Sequence, residues 1–271
     1  MSPRTHFTTI LAALALVLGA GSSARAQEFV AKPGTAPTDT AEARVLETPD
    51  HEEEFPVVLS SFTTTLAGSR PERTANLKLA AAAFDGKVFE PGQVLSFEAV
   101  VGPRTPARGY REAPVNLKDL RVLQAGGGVC QVASTLFVAG LLSGLSPVER
   151  WPHESPVDYI AVGHDATVVA GAEGSAKDLK LRNDTRQRVR VRAAVRGSAF
   201  SVRIEGERAL EETFELATEE RELAADSAVA GAKPGREVEL YRVRRGARGG
   251  AKRELVLHDT YPPSRADQPR P

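Results

Sequence analysis

The densest chemical feature of the sequence is the run Gly126-Gly127-Gly128-Val129-Cys130-Gln131. Cys130 is the only cysteine in 271 residues, so no intramolecular disulfide can form. A single thiol of this kind is either buried and inert or a reactive group. An apolar, helically spaced segment starts at the same point, which puts the thiol in the first turn of a helix from about Cys130 to Ser143. The free N–H groups and partial positive charge of a helix N-terminus stabilise a thiolate. Cysteines so placed titrate below the free value of ~8.5. Glycines let a substrate approach the backbone closely, and nearby N–H groups can receive an oxyanion. Gly126, Gly127, Gly128 and Gln131 are therefore candidate binding residues around a nucleophile.

A thiolate nucleophile needs a base and a group to orient it. His153 lies 23 residues beyond Cys130, and Asp165 lies 12 beyond His153. Cys130 as nucleophile, His153 as base and Asp165 as orienter make a feasible triad, in the chain order of transglutaminase-like and papain-like thiol enzymes by analogy. His164 is an alternative base. Each residue also has a structural reading. A free cysteine is often buried, a histidine can satisfy a turn carbonyl, an aspartate can cap a strand, and three glycines can be only a tight turn. One cysteine and scattered histidines do not give zinc-ligand spacing, so neither a metal nor a cofactor is expected.

These side chains need elements to hold them. Leu77, Ala80, Ala81 and Phe84 recur at helical spacing, which predicts a first helix over Arg73 to Phe84. In the second helix, Val129, Val132, Ala133, Leu136, Phe137 and Leu141 share one face, and Gly144 and Pro147 bracket its end. Short turn-bounded strands are expected at 157–162, 165–170 and 177–182. Residues 186–195 alternate, with Arg186, Arg188, Arg190 and Arg192 on a solvated face and valines opposite. Gly197-Ser198 turns the chain into a partner strand at 200–204. Residues 207–235 are acidic and Ala-rich, which reads as a helix or linker, and 236–262 read as a β-rich tail. The fold class is α+β: the glycine turn and Cys-bearing helix packed on an antiparallel β-meander, with a β-rich C-terminal extension.

The N-terminus bears on the compartment. Arg4 and His6 precede an apolar run from Phe7 to Ala20, followed by Ala24-Arg25-Ala26. This is the pattern of a cleaved secretory signal over 1–26, and the run is too short to span a bilayer. Residues 27–55 lack periodicity and read as a flexible linker, and 263–271 read as a disordered end. The whole chain balances 35 basic against 35 acidic residues. Loss of Arg4 and Arg25 leaves 33 against 35, a formal charge of −2. That balance excludes a general attraction to nucleic acid or anionic lipid.

At these residues the sequence resembles the VanW family. The signature is Gly-Gly-Gly-Val-Cys-Gln-Val-Ala-Ser-Thr-Leu at 126–136. Upstream it includes Phe62-Thr63-Thr64, Arg73-x-x-Asn76, Asp85-Gly86, Pro91-Gly92, Ser96-Phe97, Val101-Gly102 and Gly109-Tyr110. Downstream it includes Glu149-Arg150-x-x-His153, Val157-x-Tyr159, Gly163-x-Asp165-Ala166, Asp178-Leu179 and Asn183. The likeness covers about 58–205, within a domain expected over 56–206. Glu154 and Phe137-Val138 depart from the pattern without touching the Cys, His or Asp. The resemblance implies an exported, periplasmic or extracellular protein of the cell envelope, with peptidoglycan or another envelope component as partner. It implies no particular reaction. Two functions remain open: a Cys-dependent enzyme acting on amide or peptide bonds, and a non-catalytic envelope-binding or scaffold module with a buried cysteine.

Overall fold

The computed structural model describes residues 7–10, 54–117, 120–171, 176–225, 232–246 and 249–263. In chain order the elements are β1 (Phe7–Ile10), β2 (Val57–Thr65), α1 (Pro71–Phe84), β3 (Val88–Phe89), β4 (Val94–Ser96), α2 (Phe97–Val101), a 3-10 turn (Pro106–Arg108), β5 (Glu112–Leu117), β6 (Leu120–Ala125) and α3 (Val129–Leu142). They continue with β7 (Ser146–Glu149), β8 (Lys180–Arg182), β9 (Val189–Arg196), β10 (Ala199–Gly206), β11 (Glu212–Leu223), β12 (Gly235–Gly246) and β13 (Ala251–Tyr261). The strands pair antiparallel in the orders β2-β10-β9-β3, β4-β8-β7, β5-β6 and β1-β11-β12-β13. The architecture is mixed, with several antiparallel sheets and few helices. Of the expected export signal only 7–10 is described, as β1 beside β11. Residues 27–53 of the expected linker and 264–271 lie outside the described residues.

Helix α1 opens with Pro71, whose fixed φ suits a first helical position and whose missing N–H costs nothing there. It buries Asn76, Leu77, Ala80, Ala81 and Phe84, and Phe84 tilts against Phe97 of α2 with ring centroids 5.1 Å apart. The turn Asp85-Gly86 ends it, with Gly86 at φ 80°.

Helix α3 occupies the centre, in contact with β2 and β10, α1, β7 and β11. The sequence suggests one apolar face, yet every residue of α3 except Cys130 is buried. A helix enclosed on all sides must be apolar all round or must satisfy its polar groups internally. It does both. Thr135 donates to the Gln131 carbonyl at 2.7 Å and meets Thr64, Ser134 donates to the Cys130 carbonyl at 2.8 Å, and Ser60 of β2 donates to the Ala139 carbonyl at 2.7 Å.

Several expected elements differ. Residues 157–162 and 165–170 are not strands; beyond one isolated bridge between Val169 and Lys177, the described residues of 150–179 are irregular. Its backbone is held by side chains and single contacts rather than a ladder. The Ala166 N–H donates to Ser134 Oγ at 2.9 Å, and the Thr167 N–H to the Trp151 carbonyl at 2.8 Å. The acidic stretch expected as helix or linker contains the twelve-residue strand β11. Its acids meet the arginines of β12 and β13 across the sheet: Arg236 with Glu220, Arg245 with Glu215, and Arg253 with Glu219. The arginines of β9 are not a free solvated face either. Arg192 pairs with Asp85, and Arg190 is buried against Glu205 at 2.7 Å. Phe55, at the end of the expected linker, is buried beneath Arg188 and Arg190.

The meander β11-β12-β13 docks on the family-like body through apolar and polar contacts. Leu216, Val238, Leu240 and Tyr261 are buried. Arg242 donates to the Leu145 carbonyl at 2.7 Å and stacks on Phe214. This contact brings the end of β13 to the region around His153.

Candidate active site

The structure brings Cys130, His153 and Asp165 together. Cys130 is the second residue of α3, after Gly128 as N-cap and Val129. It is partly buried, and its sulfur lies 3.6 Å from the Val168 carbonyl oxygen. His153 Nδ1 meets Asp165 Oδ2 at 2.6 Å, and the His153 backbone N–H donates to the same oxygen at 2.7 Å. With Nδ1 engaged by the carboxylate, Nε2 is the ring nitrogen available to Cys130, and the thiol and imidazole each favour the other's charged form. His164, the alternative base, is buried elsewhere, with Nδ1 3.1 Å from the Val162 carbonyl.

The electrostatics of these three groups are linked. Burial pushes the Cys130 thiol up, but the hydrogen bond and charge of His153, with the charge of Arg104, more than reverse this and leave it below its ordinary value. Burial lowers His153, while its bonds to Asp165 and Cys130 and their charges raise it to about 9. Burial raises Asp165, while its His153 bond and the charge of Arg150 bring it to about 2. A raised histidine stabilises the fold fully below its ordinary 6.5, and this contribution fades as pH rises through about 9. The depressed aspartate stabilises above its ordinary 3.8, and this contribution fades as pH falls through about 2. The lowered thiol and the raised imidazole each favour ionisation relative to the free groups.

Residues that local pattern did not single out complete the site. Arg150 donates from Nη2 to Asp165 Oδ1 at 3.1 Å and from Nε to the Asp165 carbonyl at 2.6 Å, and pairs through Nη1 with Asp259 of β13. Tyr261 Oη donates to Asp165 Oδ1 at 2.5 Å and accepts the Gly163 N–H at 3.2 Å. Arg150 sits in the run Glu149-Arg150-x-x-His153, so its spacing from His153 was a usable signal. Nothing local marks Tyr261, 96 residues beyond Asp165.

The glycine run is tightly packed. Gly126 and Gly128 have φ of 85° and 102°, the left-handed region that L side chains rarely adopt. Gly127 has no such φ, but a Cβ there would lie 2.5 Å from the Ala113 carbonyl oxygen of β5. Gly127→Ala is therefore expected to cost about 1–3 kcal/mol, seen as a lower thermal midpoint; an unchanged midpoint would show that β5 yields freely. Asn76, wholly buried on α1, clamps this turn: Nδ2 donates to the Gly127 carbonyl at 3.0 Å and the Arg111 carbonyl at 2.9 Å, and Oδ1 accepts the Arg111 N–H at 2.8 Å. Gln131 is likewise fully buried. Its Nε2 donates to Thr64 Oγ1 and the Thr65 carbonyl at 2.9 Å each, and its Oε1 accepts from Arg73 at 2.7 Å. It offers no exposed atom to a ligand and acts on the site through Arg73. Among the described residues no group of three or more His, Cys, Asp or Glu is arranged to hold a metal ion. No described helix is long and apolar enough to cross a membrane.

Comparison with known proteins agrees with the resemblance in the sequence. Residues 72–205 match the family described as VanW like protein, and the chain carries a VanW-family domain there. It is 37% identical over 144 residues to the uncharacterized protein YoaR of Bacillus subtilis (strain 168), covering 53% of this chain and 46% of that one. It is 34% identical over 116 residues to the vancomycin B-type resistance protein VanW of Enterococcus faecalis (strain ATCC 700802 / V583), covering 41% of this chain and 40% of that one. The chain thus spans less than half the length of these relatives. No solved structure matches it significantly.

Proposed function

We propose that this protein is an exported cell-envelope enzyme in which Cys130 attacks an amide or peptide bond of the cell wall. What supports the reading is the mutual stabilisation of charge between Cys130 and His153, beside the His153 Nδ1–Asp165 contact of 2.6 Å. The setting is supported by the VanW-family match and by the name of the enterococcal relative.

In this mechanism the Cys130 thiolate adds to the amide carbonyl carbon, and its oxygen takes up the negative charge. The Cys130 N–H at the start of α3 is the candidate donor to that oxygen, since those of Val129 and Gln131 already bond the Gly126 and Gly128 carbonyls. Collapse breaks the C–N bond as the His153 imidazolium delivers its proton to the leaving amine, giving a thioester on Cys130 and a neutral imidazole. Water or an acceptor amine then attacks the thioester, giving its proton to His153, and the acyl group leaves. Asp165 keeps the imidazole oriented throughout. Gly126 and Gly128 hold the turn that presents the thiol.

The test is incubation of the full chain with peptidoglycan fragments, read by mass spectrometry. A fragment is expected to change mass by amide cleavage or transfer, and Cys130→Ala is expected to abolish the change. Fragments unaltered by the native protein, or altered equally by Cys130→Ala, would favour a binding module. Export is tested alongside: N-terminal sequencing of the secreted form should begin at Gln27, and a retained Met1 would defeat cleavage after Ala26.

A further inference from the structure

The guanidinium of Arg73 stands beside the candidate nucleophile with no anionic partner among the described residues. Arg73 rises from the first turn of α1 and lies across Gly128, where an added Cβ would meet its Cγ at 2.7 Å and its Nε at 3.3 Å. Nη1 donates to Ser69 Oγ at 2.9 Å and Nη2 to Gln131 Oε1 at 2.7 Å. Both acceptors are neutral. The Tyr159 ring faces the group with its centroid 5.8 Å away. A guanidinium carries five N–H donors, so these bonds leave donors open.

The other arginines around the site are paired: Arg104 with Glu98, Arg150 with Asp165 and Asp259. Among the described residues no carboxylate lies within ion-pair distance of Arg73. Burial lowers its pKa, and only longer-range attraction from Tyr159, Asp158 and Cys130 acts against this. A desolvated cation with no counter-ion is costly to maintain. It gains from a ligand that brings the charge, and its planar fork fits a carboxylate. Gln131 and Ser69 fix the guanidinium while leaving the side chain partly exposed.

We propose that Arg73 is a specificity residue that receives a carboxylate, so that the bond presented to Cys130 lies next to a free carboxylate, as at the C-terminus of a peptide. The inference rests on the thiol reading above and narrows its substrate class.

The test uses the full chain and two alkylating probes that differ in one group. Iodoacetamide is neutral, whereas iodoacetate carries a carboxylate. The ratio of their rates at Cys130 cancels the intrinsic reactivity of the thiol. In the native protein the iodoacetate-to-iodoacetamide ratio is expected to exceed that of the unfolded chain by about tenfold, the scale of one charged hydrogen bond. Arg73→Met should bring it to the unfolded value, and Arg73→Lys should retain much of it. A ratio unmoved by Arg73→Met overturns the proposal. Slow labelling by both reagents sinks the thiol reading instead and still leaves the ratio readable. A second measurement needs no variant. N-acetyl-alanyl-alanine should slow iodoacetamide labelling of the native protein, while its C-terminal amide should not; equal action by the two would also overturn the assignment.

Discussion

Cys130 is expected to react with iodoacetamide near neutral pH faster in the folded protein than in the unfolded chain. A free thiol of pKa ~8.5 is roughly 3% thiolate at pH 7. The folded site lowers that pKa because the influence of His153, with the Val168 contact and the charge of Arg104, outweighs burial. His153→Ala removes the bond and the charge together, so labelling at pH 7 should slow by up to about thirtyfold as the thiolate fraction returns to its free value. The midpoint of the rate-against-pH curve should rise. Asp165→Asn should act in the same direction by a smaller factor, because it disturbs the imidazole and not the sulfur directly. With one cysteine in the chain the label reports a single atom. A thiol that labels quickly only after denaturation, with no response to His153→Ala, would remove the catalytic reading.

Arg150→Met should be the most damaging change to stability near the site. The guanidinium is buried between Asp165 and Asp259, with side-chain exposures of 5%, 3% and 8% respectively. Without it two carboxylates remain close together out of water. Removing one member of a buried charged set typically costs about 3–5 kcal/mol. At about 2–4 °C per kcal/mol in a protein of this size, the thermal midpoint should fall by roughly 10 °C. The pH dependence identifies the cause. Burial already holds Asp259 above the usual carboxylate range, with Arg150 pulling it down. In the variant both aspartates lose that pull, take up protons more readily, and are relieved as they do so. The gap between wild type and variant should therefore narrow as pH falls from 7 to 4. A gap that is small or flat across that range would show that Arg150 stabilises through packing on Phe137, over which it lies.

The same network explains which parts of this protein were legible locally. The apolar spacing of Leu77, Ala80, Ala81 and Phe84 and the run after Cys130 each mark a helix, because a helix closes its hydrogen bonds within its own segment. The hairpin at Gly197-Ser198 is equally local, since adjacent strands need only a few turn residues. Strand β11 was hidden. Its acids resemble a solvated helix or linker until the arginines of β12 and β13 stand opposite them, and cross-strand pairing is not a property of one segment. The β-prone residues at 157–170 misled for the converse reason. Their backbone bonds go largely to Ser134, Trp151 and Tyr261, so no ladder forms.

Residue chemistry alone therefore determined the candidate nucleophile, base and orienter, their order, and the helix start that lowers a thiol pKa. Cys130, His153 and Asp165 could be named because a lone thiol at a helix start, an imidazole and a carboxylate follow in an order that suits a triad, although each also has a structural reading. Only the tertiary structure turns His153 onto Asp165 and buries His164 against the Val162 carbonyl, since residues of an irregular segment point wherever side-chain contacts turn them. It alone shows that Gln131 is fully buried, that no carboxylate among the described residues lies within ion-pair distance of Arg73, and that the carboxylate of Asp165 is held by Tyr261, 96 residues on. Those are distances between segments remote in sequence, and they exist only once the core around α3 and the docked meander have closed.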